Sequence, residues 1–519
     1  MSIDALAGDG RLVGGVAIEA RKRQSTARGV LALPMPAQLW LPLADGPGGM
    51  LEPQVGAGDR VWRGQPLATG GGALGVTLHA STSGRVREIV ERPVADPRRS
   101  TAPCVIVEPD GDDRAWSGLA PPDPAQWRDD ADIARALAGA GLAGLGGAVY
   151  PTGAKVAAGR VRGLRSVILN GAECEPYISC DDLLMRNHAD EVLAGALALL
   201  ALTGAERAYV ALEDDKVDAL AVLEAALVGL DAADRITLVT VPTIYPTGGE
   251  RQLIQLITGE EVPSGGFPVD LGHLVQNVAT AVAVYRFLER GEPLTGRITT
   301  VTGGGVAEPA NLRVPLGAPV TALVDACGGY TDAAWRLIVG GGMTGLAMAH
   351  DDFPVTRATN CVIVAARDEV RTTDDALPCI RCGDCSRACP ATLMPQLLHW
   401  SAARNETATL QTLGLFDCIE CGCCDVVCPS HIPLTEQFRT AKRQLRQANA
   451  DRQRAEHARA RHEARDARLE RRTREQEAAL AERRAEVQRP EASGEAIADI
   501  MARVRRRRSK NDANRDADP

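Results

Sequence analysis

Cys379-Ile-Arg-Cys382-Gly-Asp-Cys385-Ser-Arg-Ala-Cys389-Pro390 is followed, at identical spacing, by Cys418-Ile-Glu-Cys421-Gly-Cys-Cys424-Asp-Val-Val-Cys428-Pro429. Eight of the 14 cysteines take this spacing, four in each run. The C-x2-C-x2-C-x3-C-P spacing suits a [4Fe–4S] cluster, because three thiolates spaced this closely wrap three irons of one cubane from a tight loop. The fourth cysteine leads into a helix that points across to a neighbour, and the proline marks where the loop stops. Disulfides are disfavoured among cytosolic thiols. Zinc asks for four ligands, usually as two C-x2-4-C pairs, and leaves the duplicated fourth cysteine and proline unexplained. Cys423 stands out of register and reads as a spare small residue. Cys104, Cys174, Cys180, Cys327 and Cys361 are scattered and read as buried apolar fillers.

The spacing is that of the bacterial ferredoxins, in which the fourth cysteine of each run serves the other cluster. On that pattern Cys379, Cys382, Cys385 and Cys428 hold one cluster, and Cys418, Cys421, Cys424 and Cys389 hold the second. Outward from this segment, 519 residues are too many for one core, and three or more domains are expected. The formal charge of −9 is unevenly spread. Residues 441–519 hold 22 Lys and Arg against 15 Asp and Glu, a net of +7 that leaves −16 on the body. No apolar stretch reaches the roughly 18 residues of a spanning helix, and the longest candidate, near Val192–Thr203, is too short. The opening MSIDALAGDGR lacks the layout of a signal peptide, so a chain on the cytoplasmic side is expected.

Toward the N-terminus, residues 30–110 read as short strands and turns. From 125 to 290 helical and strand-like patterns alternate, with an amphipathic helix at Asp130–Leu142 and buried strands at Ser166–Leu169, Ala208–Leu212 and Arg235–Val241. From 295 to 370 the pattern returns to β, with Gly303-Gly-Gly305 and Gly340-Gly-Gly342 at turns. Residues 441–489 contain no glycine or proline and predict a solvated helix up to about 70 Å long. A short helix, Glu495–Arg507, and a disordered end follow. Gly141-Leu-Ala-Gly-Leu-Gly-Gly-Ala-Val-Tyr-Pro-Thr-Gly-Ala-Lys155 offers backbone N–H groups and a lysine to a phosphate, without the GK[ST] ending of a Walker A loop.

Several stretches carry resemblances. Glu52–Leu67 and His79–Val86 resemble the two halves of a lipoyl/biotinyl-like β-domain, but Ala68–Leu78 between them has no lysine to carry a cofactor. The glycine loop resembles the GRGGAGFPTG…K loop of the flavin- and NADH-binding subunit of respiratory complex I. Asn170-Gly-Ala-Glu-Cys-Glu-Pro176, Tyr245-Pro-Thr-Gly-Gly-Glu250 and Gln276-Asn-Val-Ala-Thr280 resemble three further segments of that subunit. The resemblance implies FMN contacts from Gly144, Gly146, Gly147, Lys155, Asn170, Glu173, Asn277 and Thr280. It places Tyr150, Glu175 and Glu250 on the NADH side. Leu145 replaces the family's loop arginine, Val149 a loop glycine, Ala172 an aspartate and Gly249 a glutamate.

The order of parts over about 10–440 resembles the RnfC family, the peripheral electron-transfer component of the Rnf/Rsx electron transport complex, with Thr359-Asn-Cys361 and Phe416-Asp-Cys-Ile-Glu-Cys421 among its stretches. The expected fold is therefore multidomain α/β plus β. A lipoyl-like β-domain without carrier lysine covers 1–120, and a Rossmann-like α/β FMN/NADH domain covers 121–293. A β-grasp-like domain covers 294–370, a helical bacterial-type double [4Fe–4S] ferredoxin domain covers 371–440, and an Arg/Ala/Glu-rich helical tail, partly disordered, covers 441–519. The resemblance implies a component of an ion-translocating NADH:ferredoxin oxidoreductase, peripheral on the cytoplasmic side of the cell inner membrane. Its cofactors would be FMN and two [4Fe–4S] clusters, with NAD(H) as substrate. Its partners would be the A, B, D, E and G components of the complex, with ferredoxin reached through them. The alternative is an iron–sulfur wiring module without its own flavin, relaying electrons between partner proteins, including to a redox-sensing regulator. Arg505–Arg508 reads as a solvated charge run, so no nucleic acid is expected. His350, His399 and His431 lack ligand-like spacing and read as structural.

Overall fold

Strands buried on both faces need apolar residues along most of their length, and Ser166–Gly171, Arg207–Glu213 and Ile236–Val241, largely buried and apolar at their centres, form strands of one parallel sheet. Each starts or ends within two residues of its sequence-read counterpart. The fourth strand, His273–Asn277, pairs parallel with Ser166–Gly171 on the side away from the other two. Relative to chain order, the sheet thus runs third, second, first, fourth, as in one half of a doubly wound dinucleotide fold. The computed structural model describes residues 11–44, 46–72, 74–370, 376–488 and 494–513.

Helix Asp130–Gly139 is capped by Asp129, whose carboxylate accepts from the Asp132 N–H. It stops three residues before the expected Leu142, which lies in the following turn. The apolar run near Val192–Thr203 is the core helix Ala189–Thr203. This helix crosses Val278–Arg290 so closely that a Cβ on Gly195 would lie 2.5 Å from the Ala281 carbonyl oxygen. Among the described residues, no helix is long and apolar enough to cross a membrane.

The N-terminal β-region is two small antiparallel sheets. One contains Leu39–Pro42, Arg99–Pro109, Gly84–Asp96 and Arg60–Val61, and the other Leu51–Pro53, Pro66–Gly70 and Leu78–His79. The third region is a mixed six-stranded sheet with helix Val320–Ala326. Its edge strand, Val30–Ala32, pairs with Ala310–Pro315 although the sequence groups it with the first domain. A non-local pairing of this kind leaves no local signal.

Ahead of that strand, an arm over 12–26 ties distant parts together. Gly15 N donates to Ala388 O at 3.0 Å, and Val16 and Tyr245 exchange backbone hydrogen bonds at 2.8 and 3.1 Å. Tyr177 N donates to Ala20 O at 2.8 Å, and the Ser25 and Ser179 hydroxyls are 2.7 Å apart. Met1–Thr440 forms one compact unit. The second unit, Ala441–Pro519, is helical in its described part.

The tail helix is Leu434–Val487, exposed along 451–487. Its 54 residues give about 80 Å, longer than expected because it begins within the cysteine-rich segment. The second helix, Glu495–Ala513, runs six residues past the expected Arg507. Of the end expected to be disordered, 514–519 lie outside the described residues.

Candidate functional site

The strand order of the parallel sheet reverses between Ser166–Gly171 and His273–Asn277, and sheets of this kind have their binding crevice at such a switch point, beyond the strands' carboxyl ends. Asn170 and Asn277 are direct register partners there. Asn170 Nδ2 donates to Gly248 O at 2.8 Å, and its Oδ1 accepts from Ala172 N at 3.1 Å. Asn277 caps helix Val278–Arg290 through Ala279 N and donates from Nδ2 to Asp181 Oδ2 at 2.6 Å.

The glycine loop lies over this pair. Gly144 N donates to Tyr150 O at 2.9 Å, and Leu145 N donates to the buried Thr280 hydroxyl at 2.9 Å. A Cβ on Gly146 would be 3.4 Å from Asn277 Cβ, so a larger residue would close the cradle. Gly147 has φ +106° and Val149 φ +52°. A β-branched side chain in that region costs about 1–2 kcal/mol, so Val149 follows a glycine's path without being glycine.

The structure therefore gathers Gly144, Gly146, Gly147, Asn170, Asn277 and Thr280 at one end of the sheet. The remaining residues expected here meet other partners. Lys155 Nζ donates to Glu250 Oε1 at 2.5 Å and to Val275 O at 2.6 Å. Tyr150 is exposed. Glu175 turns to the third region, accepting from Met343 N at 2.9 Å and from the Thr344 hydroxyl, and burial raises its pKa. Glu173 is buried at the N-terminus of helix Cys180–Asn187 and accepts from Asp181 N at 2.9 Å. Burial pushes its pKa up to about 7, with Lys22 pulling it down and Asp181 adding to the rise.

Two cavities hold the run cysteines. Cys379, Cys382, Cys385 and Cys428 line the first. Cys389, Cys418, Cys421 and Cys424 line the second, with Cys423 at its edge. The runs repeat in backbone as well as in sequence, 39 positions apart. Arg381 and Glu420 have φ 60° and 59°, Gly383 and Gly422 83° and 80°, and Thr392 and His431 both 52°. Such a loop turns its thiols to one point, and four thiols per cavity with apolar walls fit a cuboidal iron–sulfur cluster. His399 adds an imidazole to the first wall, with Nδ1 2.7 Å from Gln437 Oε1. Cys104, Cys180, Cys327 and Cys361 are buried, as apolar fillers should be, while Cys174 is half-buried.

The second cavity adjoins the α/β region. The Tyr245 hydroxyl donates to Cys421 O at 2.8 Å, and Cys423 Sγ is 3.9 Å from Tyr245 O. A Cβ on Gly422 would be 3.6 Å from Met343, and Gln252 Nε2 donates to Pro390 O at 3.4 Å. Cys174 packs into the same apolar cluster as Tyr245 and Cys421.

Sequence reasoning does not single out three residues that shape this region. Lys22 is buried, donates to Glu173 O and lies 3.9 Å from Glu213. Asp181 orients Asn277. Tyr245 belongs to a recognisable motif, but its hydroxyl contact with the second run has no sequence signature. Lys22 sits in an arm without periodicity, and nothing local marks it.

Comparison with known proteins gives three family matches. They are the Nuo51 FMN-binding domain at 137–286, the RnfC barrel sandwich hybrid domain at 10–112 and the SLBB domain at 298–347. The RnfC component of the ion-translocating oxidoreductase complex of Pseudomonas aeruginosa is 41% identical over 434 residues, covering 84% of this chain and 55% of the relative. Its counterpart from Erwinia tasmaniensis is 40% identical over 441 residues, covering 85% and 54%. The chain thus spans about half the length of these curated relatives. A solved chain of an NAD+-reducing [NiFe]-hydrogenase aligns with a TM-score of 0.42 at 24% identity, covering 54% of each chain. The counterpart from Yersinia pestis bv. Antiqua is 40% identical over 433 residues, 83% of this chain and 69% of the relative. On that identity and coverage, the chain belongs to the RnfC family of ion-translocating oxidoreductase complexes.

Proposed function

We propose that the chain is an electron-transfer subunit that exchanges electrons between NAD(H) and ferredoxin through FMN and two [4Fe–4S] clusters. It would act within a membrane-bound ion-translocating complex beside the A, B, D, E and G components, peripheral on the cytoplasmic side of the inner membrane. The observation that carries this reading is the contact between the crevice region and the second thiol cavity through Tyr245 and Cys421. FMN, when bound, supplies the conversion between a hydride's electron pair and single electrons. Gly144, Gly146 and Gly147 would bring backbone and Lys155 a charge to its phosphate, and Asn170, Glu173, Asn277 and Thr280 would hold its other edges. Tyr150 and Glu250 would line the nicotinamide side with Glu175, whose carboxylate accepts here from Met343 N and the Thr344 hydroxyl. Cys389, Cys418, Cys421 and Cys424 would hold the inner cluster, the one beside Tyr245, and Cys379, Cys382, Cys385 and Cys428 the outer one; each would carry single electrons, the inner lying nearer the α/β region.

Anaerobic purification with iron, sulfide and flavin quantified together tests this reading. About eight irons and one flavin per chain are expected, with both clusters bleached or reduced by NADH. A second reading has a specific observation behind it. Lys155 is already neutralised by Glu250, and Ala172 and Gly249 stand where the complex I relatives carry carboxylates. A chain with eight irons but no flavin would be a wiring module, and iron far below eight would overturn both readings.

A further inference from the structure

The two cysteine runs are one loop built twice, yet their surroundings differ. In the second loop Gly422 and Cys423 are buried against Met343 and Tyr245 of the chain's own body. The same positions of the first loop, Gly383 and Asp384, are half-buried. Cys382 is exposed where its counterpart Cys421 is half-buried. Ile380 is 68% exposed, and Leu377 beside it 59%. The face by which the second loop packs on the chain's own body is thus only half-covered on the first.

This face also differs in charge. Arg381 replaces Glu420, and Arg387 replaces Val426. Arg387 pairs with Asp384, and its guanidinium would lie 3.5 Å from a Cβ on Gly383. Thus exposed apolar residues, Leu377 and Ile380, stand beside the exposed Cys382 with Arg381 unpaired by any carboxylate among the described residues and the Arg387–Asp384 pair next to them.

We infer that this face, Leu377 and Ile380 with Arg381 and Arg387 around Cys382, docks a one-electron carrier protein whose redox centre is ringed by carboxylates. The inference rests on the proposed electron-transfer role and names the partner chemistry at its outer end. One electron leaves the reduced outer cluster, which returns to its oxidised level, and the carrier gains it. No bond forms and no proton need move. Opposite charges speed such encounters, and apolar contact at the centre excludes water between the two centres.

The test uses the full cluster-loaded chain, reduced with dithionite and freed of excess reductant anaerobically, so it does not depend on NADH or flavin. Its oxidation is followed by stopped flow with flavodoxin as the acidic acceptor, cytochrome c as the basic one, and ferricyanide as the small one. Arg381→Glu serves as variant, since the second loop already carries glutamate at this position and a matching φ. At low salt the rate with flavodoxin should fall about tenfold in the variant, and the difference should vanish as salt rises. Cytochrome c should gain from the substitution, and ferricyanide oxidation of both forms should stay alike apart from a small charge effect. Leu377→Asp should slow flavodoxin at every salt concentration. A flavodoxin rate indifferent to salt and to both substitutions would overturn the docking face. So would a wild-type chain whose oxidation by cytochrome c slows with added salt. A chain that carries no iron at all would instead overturn the underlying electron-transfer reading, and iron is measured first.

Discussion

Replacing Cys389 by alanine separates a thiol from its own run. In the structure Cys389 lines the cavity of Cys418, Cys421 and Cys424, not that of its sequence neighbours. Cluster binding there closes a loop of 29 residues, from Cys389 to Cys418. Treated as a cross-link, that closure contributes about 3.5 kcal/mol. The corresponding loop from Cys385 to Cys428 has 43 residues and contributes about 4 kcal/mol. Cys389→Ala and Cys428→Ala should therefore destabilise to a similar degree, and melting alone does not tell which cavity each has emptied. Iron and spectra do. A cavity left with three thiols lacks a thiolate for one iron, which becomes labile, so iron in Cys389→Ala should fall below about eight per chain on exposure to air or chelator while the other cavity keeps about four. Its EPR spectrum should lose the same signal as Cys421→Ala and keep the one that Cys382→Ala loses. Because the emptied or altered cavity is the inner one, dithionite should still reduce the outer cluster while NADH reduces it far more slowly than in wild type. A Cys389→Ala spectrum matching Cys382→Ala would refute the crossed arrangement. Normal NADH reduction of the outer cluster would refute the order of transfer.

Lys155→Glu sets a second carboxylate beside Glu250 at the glycine loop. Bound flavin per chain should drop while iron is unchanged, and full flavin retention would remove Lys155 from the phosphate site. Val149→Gly loses a buried side chain but also the strain at φ +52°, effects of about 1–3 kcal/mol each that offset. Val149→Ala keeps the strain and loses the packing. The glycine variant should melt above the alanine variant, reversing the usual order, and an alanine variant as stable as glycine would contradict the strain. Glu173, with its pKa raised from 4.5 to about 7, favours its neutral form in the fold. Its contribution is present below about pH 4.5 and is lost as pH rises through about 7, costing on the order of 3 kcal/mol above that. Glu173→Gln should flatten this fall in melts at about pH 5 and about pH 8, and parallel wild-type and variant curves would rule it out. Truncation after Ala450 removes the exposed helical run and most of the tail's positive charge. NADH-to-dye activity of the isolated protein should persist while membrane association becomes easier to wash off with salt. Lost dye activity would make the tail part of the redox core.

What can be read from the sequence is what depends on near neighbours. The cysteine runs are legible because the loop that turns three thiols to one point is set within seven residues. The three strands of the parallel sheet are legible because burial on both faces demands apolar residues along most of their length. The fourth strand, His273–Asn277, is short and holds His273, Gln276 and Asn277, so it carries no such pattern. The pairing of Asn170 with Asn277 therefore comes only from a family resemblance, without its geometry. The same resemblance gives the carboxylate of Glu175 to a nicotinamide, yet in this structure it is held by Met343 and Thr344, more than 160 positions further on. The edge strand Val30–Ala32 and the ammonium of Lys22 are illegible for the same reason. Their partners are distant in the chain, and neither is long or periodic enough to announce itself.

The arm over 12–26 has a consequence for assembly. It leaves the ribosome ahead of everything it touches: Ser179, Tyr245 and finally Ala388 and Cys389. Contacts of such sequence separation form late, since the intervening chain must first be gathered. Gly14 meets the backbone of Cys389 so closely that a Cβ there would lie 2.6 Å from its carbonyl carbon and oxygen. That seam can close only on a cysteine loop already in its final shape. With the clusters proposed above, iron delivery would gate that last step of maturation. In a cell short of iron, newly made chains would keep the arm undocked, and proteases could take them before they reach a membrane.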